Sequence, residues 1–261
     1  MGKKALIAIS FGTTYENAMH SIEKIEDTLQ QAMPDYDFFR AFTSRMVIKK
    51  LNETRGLAVP TPFELLEELE RRGYTEIACQ SLHVINGLEY DKMCRHIDAY
   101  TNRFQSVYMG APLLSCEEDY ILCAEAVIKN LSELGPTQAL VLMGHGTEHF
   151  ANGAYCQLEN TFRYLGYENV YVGTVEGFPG LDYVLSRLKK KNISKVILLP
   201  FMVVAGDHAQ NDMAGPGSNS WKSVLEQNGY QVEVKLQGLG ELLEIRKLFS
   251  DHMLKAVNTT D

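Results

Sequence analysis

Lys4-Ala5-Leu6-Ile7-Ala8-Ile9-Ser10-Phe11-Gly12-Thr13 returns 134 positions later as Gln138-Ala139-Leu140-Val141-Leu142-Met143-Gly144-His145-Gly146-Thr147. Each copy is a short apolar run that ends in a Gly-Thr turn, as a buried strand feeding a helix would. The match continues outward in the same order. Phe39-Arg40-Ala41-Phe42-Thr43-Ser44 falls opposite Val172-Gly173-Thr174-Val175-Glu176-Gly177. Ser81 to Glu89 aligns with Pro200 to His208, pairing Val84 with Val203 and Gly87 with Gly206. Two fourth strands end in glycine turns, at Gly110 and at Gly238-Leu239-Gly240. Four correspondences in one order predict two similar halves, residues 1–134 and 135–261.

Between the apolar runs lie helical patterns. Ala18, Ile22, Ile25, Leu29 and Ala32 recur at the spacing of one helix face, and Pro34 stops them. Asp37 to Thr43 is the next expected strand. Thr61-Pro62-Phe63-Glu64 carries a capping threonine, a first-turn proline and the glutamate of a capping box; Gly73 closes that helix. Strands are expected at Glu76 to Leu82 and Gln105 to Ala111, and long helices at Glu117 to Leu131 and Glu241 to Val257. Strand alternating with helix means an α/β fold with parallel sheets.

The 261 residues are 45% hydrophobic and 22% charged, an ordinary globular composition, with a net charge of −8. That acidity argues against a nucleic-acid protein. No apolar run approaches the ~20 residues of a membrane span, and the start of the chain lacks the apolar length of a signal peptide. Cys79, Cys94, Cys116, Cys123 and Cys156 are odd in number and form no C-x-x-C pair. They read as reduced, mostly buried thiols in a cytoplasmic protein. A homo-oligomer is compatible with the sequence.

Ligands of parallel α/β sheets bind beyond the carboxyl ends of the strands. There the second half carries His145, Glu176 and His208, whereas the first carries Phe11, Thr43 and Glu89. Two imidazoles and a carboxylate suit divalent Co, Fe, Ni or Zn, and three protein ligands leave positions open for exchange. One metal site in the second half, facing a cleft between the halves, is therefore expected. Asp207 is the expected acceptor orienting His208. His149 is expected to be exposed or to support the ligands rather than join them, and His83 either lines the cleft or bonds to backbone. Gly144-His145-Gly146-Thr147 lacks the lysine of a P-loop, which argues against nucleotides. Arg40, Arg45, Lys49, Lys50 and Arg55 fall in sixteen residues with one acid, Glu53, and suggest a polyanionic ligand.

In combination, several segments resemble the anaerobic sirohydrochlorin cobaltochelatases (CbiK) among the class II tetrapyrrole chelatases. They include Ser10 to Thr13, Phe39 to Ser44, Gln80 to His83, Ile85 to Tyr90, Met143 to Gly146, Ala205 to Ala214 and Ser220-Trp221. The resemblance implies two α/β lobes, each with a four-stranded parallel sheet, around a tetrapyrrole cleft, with terminal helices that cross between lobes. It implies that His145, Glu176 and His208 bind the metal, that His145 accepts a proton, and that Glu89 faces them from the other lobe. Ser10, Phe11, Gly12, Thr13, Arg45, His83 and Gly87 would contact sirohydrochlorin. Cobalt(II) is then a substrate, no organic cofactor is needed, and the product enters anaerobic cobalamin biosynthesis. The same ligands serve Fe(II) or Ni(II), and the same cleft would serve a carrier without turnover. The chain departs from the family pattern at Gly177 and in the loop Ala214-Gly215-Pro216-Gly217-Ser218.

Overall fold

The computed structural model describes residues 2–131 and 133–259, which leaves Met1, Ser132, Thr260 and Asp261 outside the account. The first four strands are β1 (Lys3–Ser10), β2 (Asp37–Phe42), β3 (Tyr74–Ser81) and β4 (Ser106–Gly110); all pair in parallel in the order β2-β1-β3-β4. The next four are β5 (Gln138–Gly146), β6 (Val170–Glu176), β7 (Lys195–Pro200) and β8 (Gln231–Val234), parallel in the order β6-β5-β7-β8. The orders are identical, as the repeat requires.

Helices α1 (Glu16–Ala32), α2 (Arg45–Arg55), α3 (Pro62–Arg71), α4 (Leu88–Asp98) and α5 (Glu117–Lys129) follow or separate the first set of strands. In α1 the predicted face, Ala18, Ile22, Ile25 and Leu29, is buried. The capping box of α3 forms in both directions, with Glu64 N–H on Thr61 Oγ1 and Thr61 N–H on the Glu64 carboxylate. Helices α6 (Gly153–Tyr164), α7 (Leu181–Leu188), α8 (Trp221–Gln227) and α9 (Leu243–Asn258) complete the second set. Each sheet has its own core: Ile7, Ile9, Leu66 and Ile77 in one, Val141, Met143, Val184 and Leu198 in the other. Each such side chain stabilises its core by about 1.5–3 kcal/mol relative to exposure.

The halves do not divide where the repeat does. One compact unit runs through Ser115 and resumes at Ile245; the other is Cys116–Glu244. This division differs from the repeat boundary expected at residues 134 and 135. Helix α5 packs against α6 in the second unit, and His252 of α9 donates Nδ1–H to Ala111 O in the first, at 3.2 Å. Burial of each helix's apolar face, rather than the repeat, sets the boundary. All five cysteines are free thiols, but the expectation that most are buried fails: Cys79 and Cys123 are buried, Cys94 is half-buried, and Cys116 and Cys156 are exposed. Among the described residues no helix is long and apolar enough to cross a membrane.

Candidate active site

A strand order of 6-5-7-8 means that the chain leaves β5 toward one edge and β7 toward the other. Ligands gather at such a switch point, because the two loops diverge and leave a crevice. His145 is the penultimate residue of β5, and His208 opens the helical turn after β7. Their rings meet edge to face, centroids 4.6 Å apart at 87°.

The hydrogen bonds of the two rings settle their tautomers. His145 Nδ1 lies 3.0 Å from Gly146 O, and His208 Nδ1 lies 2.7 Å from Asp212 Oδ2. A carbonyl or carboxylate oxygen can only accept, so each Nδ1 carries the proton. The lone pair of each imidazole is then on Nε2, the nitrogen available to a metal or a proton. Asp212 therefore performs the task expected of Asp207, which instead accepts from Asn211 Nδ2 at 3.0 Å. The sequence does carry the signal: Asp212 stands at i,i+4 from His208, one helical turn away. That turn is wide, a π-helical Ala209–Met213, which widens the spacing of residues behind the histidine.

Both glycines beside His145 are required by contact. A Cβ on Gly144 would sit 2.3 Å from the Tyr155 ring. Gly146 has φ +84°, and a Cβ there would sit 1.5 Å from Glu176 O. Burial pushes the Tyr155 hydroxyl up to about 12, against the opposing influence of the backbone N–H groups of Gly146 and His145, so it remains protonated. Tyr155 thus grips the backbone that presents His145, a role no sequence motif announced.

Glu176 ends β6, and its backbone registers with Gly146 on the neighbouring strand. Its side chain is exposed. Among the described residues no three His, Cys, Asp or Glu side chains already enclose a metal-sized space. The structure thus brings His145 and His208 together, with Glu176 at the adjacent strand end.

The expected residues of the first unit occupy the equivalent switch point, between β1 and β3. Ser10 is buried, and its hydroxyl has no hydrogen-bond partner among the described residues. Phe11 is half-exposed, Gly12 takes φ +88°, and buried Thr13 accepts from Tyr15 N–H at 3.2 Å. Beyond β3, His83 Nδ1 lies 2.9 Å from Ser81 Oγ, while its Nε2 is buried without a partner among the described residues. Burial lowers the His83 imidazole to about 4, opposed in part by the charge of Glu89. Gly87 precedes α4, and Glu89 in its first turn pairs with Lys92 Nζ at 2.7 Å. The basic run is thinner than its sequence suggests. Arg40 is spent on an ion pair with buried Glu26, Lys49 pairs with Glu53, and Arg55 donates to Thr14 O. Arg45 remains exposed at the start of α2. His149 caps the 3₁₀ turn Phe150–Asn152 by accepting from Ala151 N–H, a backbone role rather than a ligand's.

Against known proteins, residues 4–258 match the family model described as cobalt chelatase (CbiK). The chain belongs to this family. It is 39% identical over 257 residues to the sirohydrochlorin cobaltochelatase of Salmonella typhimurium, covering 98% of this chain and 97% of that one. It is 31% identical over 264 residues to the sirohydrochlorin cobaltochelatase CbiKC of Nitratidesulfovibrio vulgaris, covering 100% of this chain and 93% of that one. Among solved structures, SirB from Bacillus subtilis with Fe3+ shares the fold, with a TM-score of 0.66 at 14% identity over 98% of this chain and 97% of that one. The CbiK resemblance and the α/β fold of paired four-stranded parallel sheets are both borne out.

Proposed function

We propose that this CbiK-family protein is a sirohydrochlorin cobaltochelatase, inserting Co(II) into sirohydrochlorin and releasing two protons, in the anaerobic cobalamin route and in the cytoplasm. The observation that carries the reading is the pair of Nδ1-protonated imidazoles at the switch point of the second sheet, His145 and His208, with both Nε2 lone pairs available. Five free thiols support a reducing compartment.

In this reading His145, His208 and the Glu176 carboxylate take the incoming ion, the exposed Glu176 swinging in about its own side-chain torsions. Three protein ligands leave positions free, so the ring nitrogens replace the protein donors one by one. Each of two pyrrole N–H groups loses its proton as a metal–nitrogen bond forms. As Co(II) leaves, His145 Nε2 regains a lone pair and accepts one proton. Glu89 accepts the second, directly or through water. Arg45 meets a peripheral carboxylate of the macrocycle, and Ser10, Phe11, Gly12, Thr13, His83 and Gly87 line its binding surface.

Incubating purified protein with sirohydrochlorin and Co(II), Fe(II) or Ni(II), each against a protein-free control, tests the reading. Metal insertion shifts the absorption spectrum of the ring, and the largest acceleration is expected with Co(II). Binding of ring or metal without acceleration would identify a carrier and overturn the proposal. Faster insertion of Fe(II) or Ni(II) would overturn the choice of metal.

A further inference from the structure

The loop after β5 and the loop after β6 are tied together by one side chain, Asn152. Its Oδ1 accepts from Thr147 N–H at 2.9 Å, two residues beyond His145. Its Nδ2 donates to Phe178 O, two residues beyond Glu176. Between these contacts lies Gly177, at φ +91°, where a Cβ would be 2.9 Å from Thr147 O and within 3.4 Å of the Asn152 amide. Gly177 thus leaves the room in which the two loops close on Asn152. Thr174 adds to the bracing, its N–H donating to Pro179 O at 2.7 Å and its hydroxyl at 3.1 Å.

We infer that Asn152 is a positioning residue: its amide holds the His145 and Glu176 loops at the separation from which both side chains reach one divalent cation. The inference rests on the proposed metal site but concerns a residue outside the ligand set. An amide is suited to the task because it accepts on one side and donates on the other, bridging the Thr147 N–H and the Phe178 carbonyl. It carries no charge, so it does not compete with Glu176 for the cation. Such supporting contacts typically change metal affinity by about 10–100-fold when removed.

The test is a titration of the purified full-length chain with Co(II) alone, followed by visible d–d absorption, beside separate Michaelis constants for Co(II) and sirohydrochlorin. Asn152→Ala is expected to weaken Co(II) binding by about tenfold or more and to change the d–d spectrum. The Michaelis constant for sirohydrochlorin should stay within about twofold. Asn152→Asp, nearly isosteric, keeps the acceptor for Thr147 N–H but sets an oxygen against Phe178 O; it should shift the Co(II) spectrum in the same direction. Gly177→Ala pushes on the same contact from the other side, and its effect should be less than additive with that of Asn152→Ala. If Asn152→Ala fails to fold, Asn152→Asp decides. An unchanged Co(II) spectrum and affinity in the folded variants, whatever their thermal midpoint, would overturn the inference. Failure of the wild-type chain to insert metal, with the spectral change still present in the variants, would sink the proposed function and leave the positioning role standing.

Discussion

The carboxyl ends of β1 and β5 have nearly the same backbone and opposite chemistry. Gly12 and Gly146 turn with φ +88° and +84° at repeat-equivalent positions. A Cβ on Gly12 would meet the Phe42 ring at 2.6 Å, whereas one on Gly146 would meet Glu176 O at 1.5 Å. Immediately before the glycine stands Phe11 in one unit and His145 in the other, both exposed. Beyond the next strand inward, the first unit has a half-buried histidine, His83, where the aligned residue of the second is Met202. The repeat preserved what the strand-to-helix turn demands of the backbone, and left the side chain at its tip free to differ. One unit has come to hold a pair of imidazoles, and the other presents an aromatic ring, a buried hydroxyl and a low-basicity histidine.

If that inequality is functional, His145→Ala and His208→Ala should each lower Co(II) insertion by about 10²–10⁴-fold, as loss of a metal ligand and proton acceptor requires. Phe11→Ala at the matching position should act mainly on the Michaelis constant for sirohydrochlorin. Circular dichroism must show all three folded; near-normal turnover in either histidine variant breaks the comparison. Glu89→Gln sharpens it from the other side. Turnover should fall about tenfold or more while Co(II) binding, read from d–d absorption, stays within about twofold; a matched loss of both would make Glu89 a ligand instead.

The glycines allow the comparison to be made in stability. Gly12→Ala and Gly146→Ala both force a side chain into a left-handed conformation, costing about 1–2 kcal/mol, and both add a clash. The clash at Gly12 is with a side-chain ring, whereas that at Gly146 is with the Glu176 carbonyl, backbone held in the sheet. Urea denaturation should therefore place Gly146→Ala the lower of the two, by about 1–2 kcal/mol. Equal losses would show that the two turns are braced alike.

The last expected effect is pH-dependent and concerns His83. Burial holds its imidazole down to about 4, against an ordinary value of 6.5. In the window between these values the unfolded chain binds a proton that the folded chain does not, so stability rises with pH there. The full contribution is present above about pH 6.5 and is lost as pH falls toward 4, by on the order of 3 kcal/mol in all. Thermal midpoints measured from pH 7 to 5 should fall less steeply in His83→Gln than in the wild type. Parallel slopes would mean that His83 is protonated while folded.

Much of this was legible in the chain itself. The strand pattern, the capping box at Thr61 and Glu64, the repeat and its chemical asymmetry at residues 145, 176 and 208 depend on local spacing, which sequence displays directly. Asp207 is the acceptor the sequence suggests because adjacency is visible there, whereas the π turn that brings Asp212 behind His208 is not. Tyr155 and Asn152 escaped notice because they act on backbone atoms, and a backbone contact leaves no residue-type signature. The basic run overstated its free charge because Glu26, the partner of Arg40, lies on another element.

By itself, then, the sequence determined two α/β repeats and which of them carries imidazoles, because apolar periodicity and turn residues dictate strands, helices and their order. Tertiary structure decided where the compact units end, which nitrogen of each histidine is free, and which side chains brace the loops that carry them. Those outcomes depend on contacts between elements far apart in the chain, where distance and hydrogen-bond direction count and sequence separation does not.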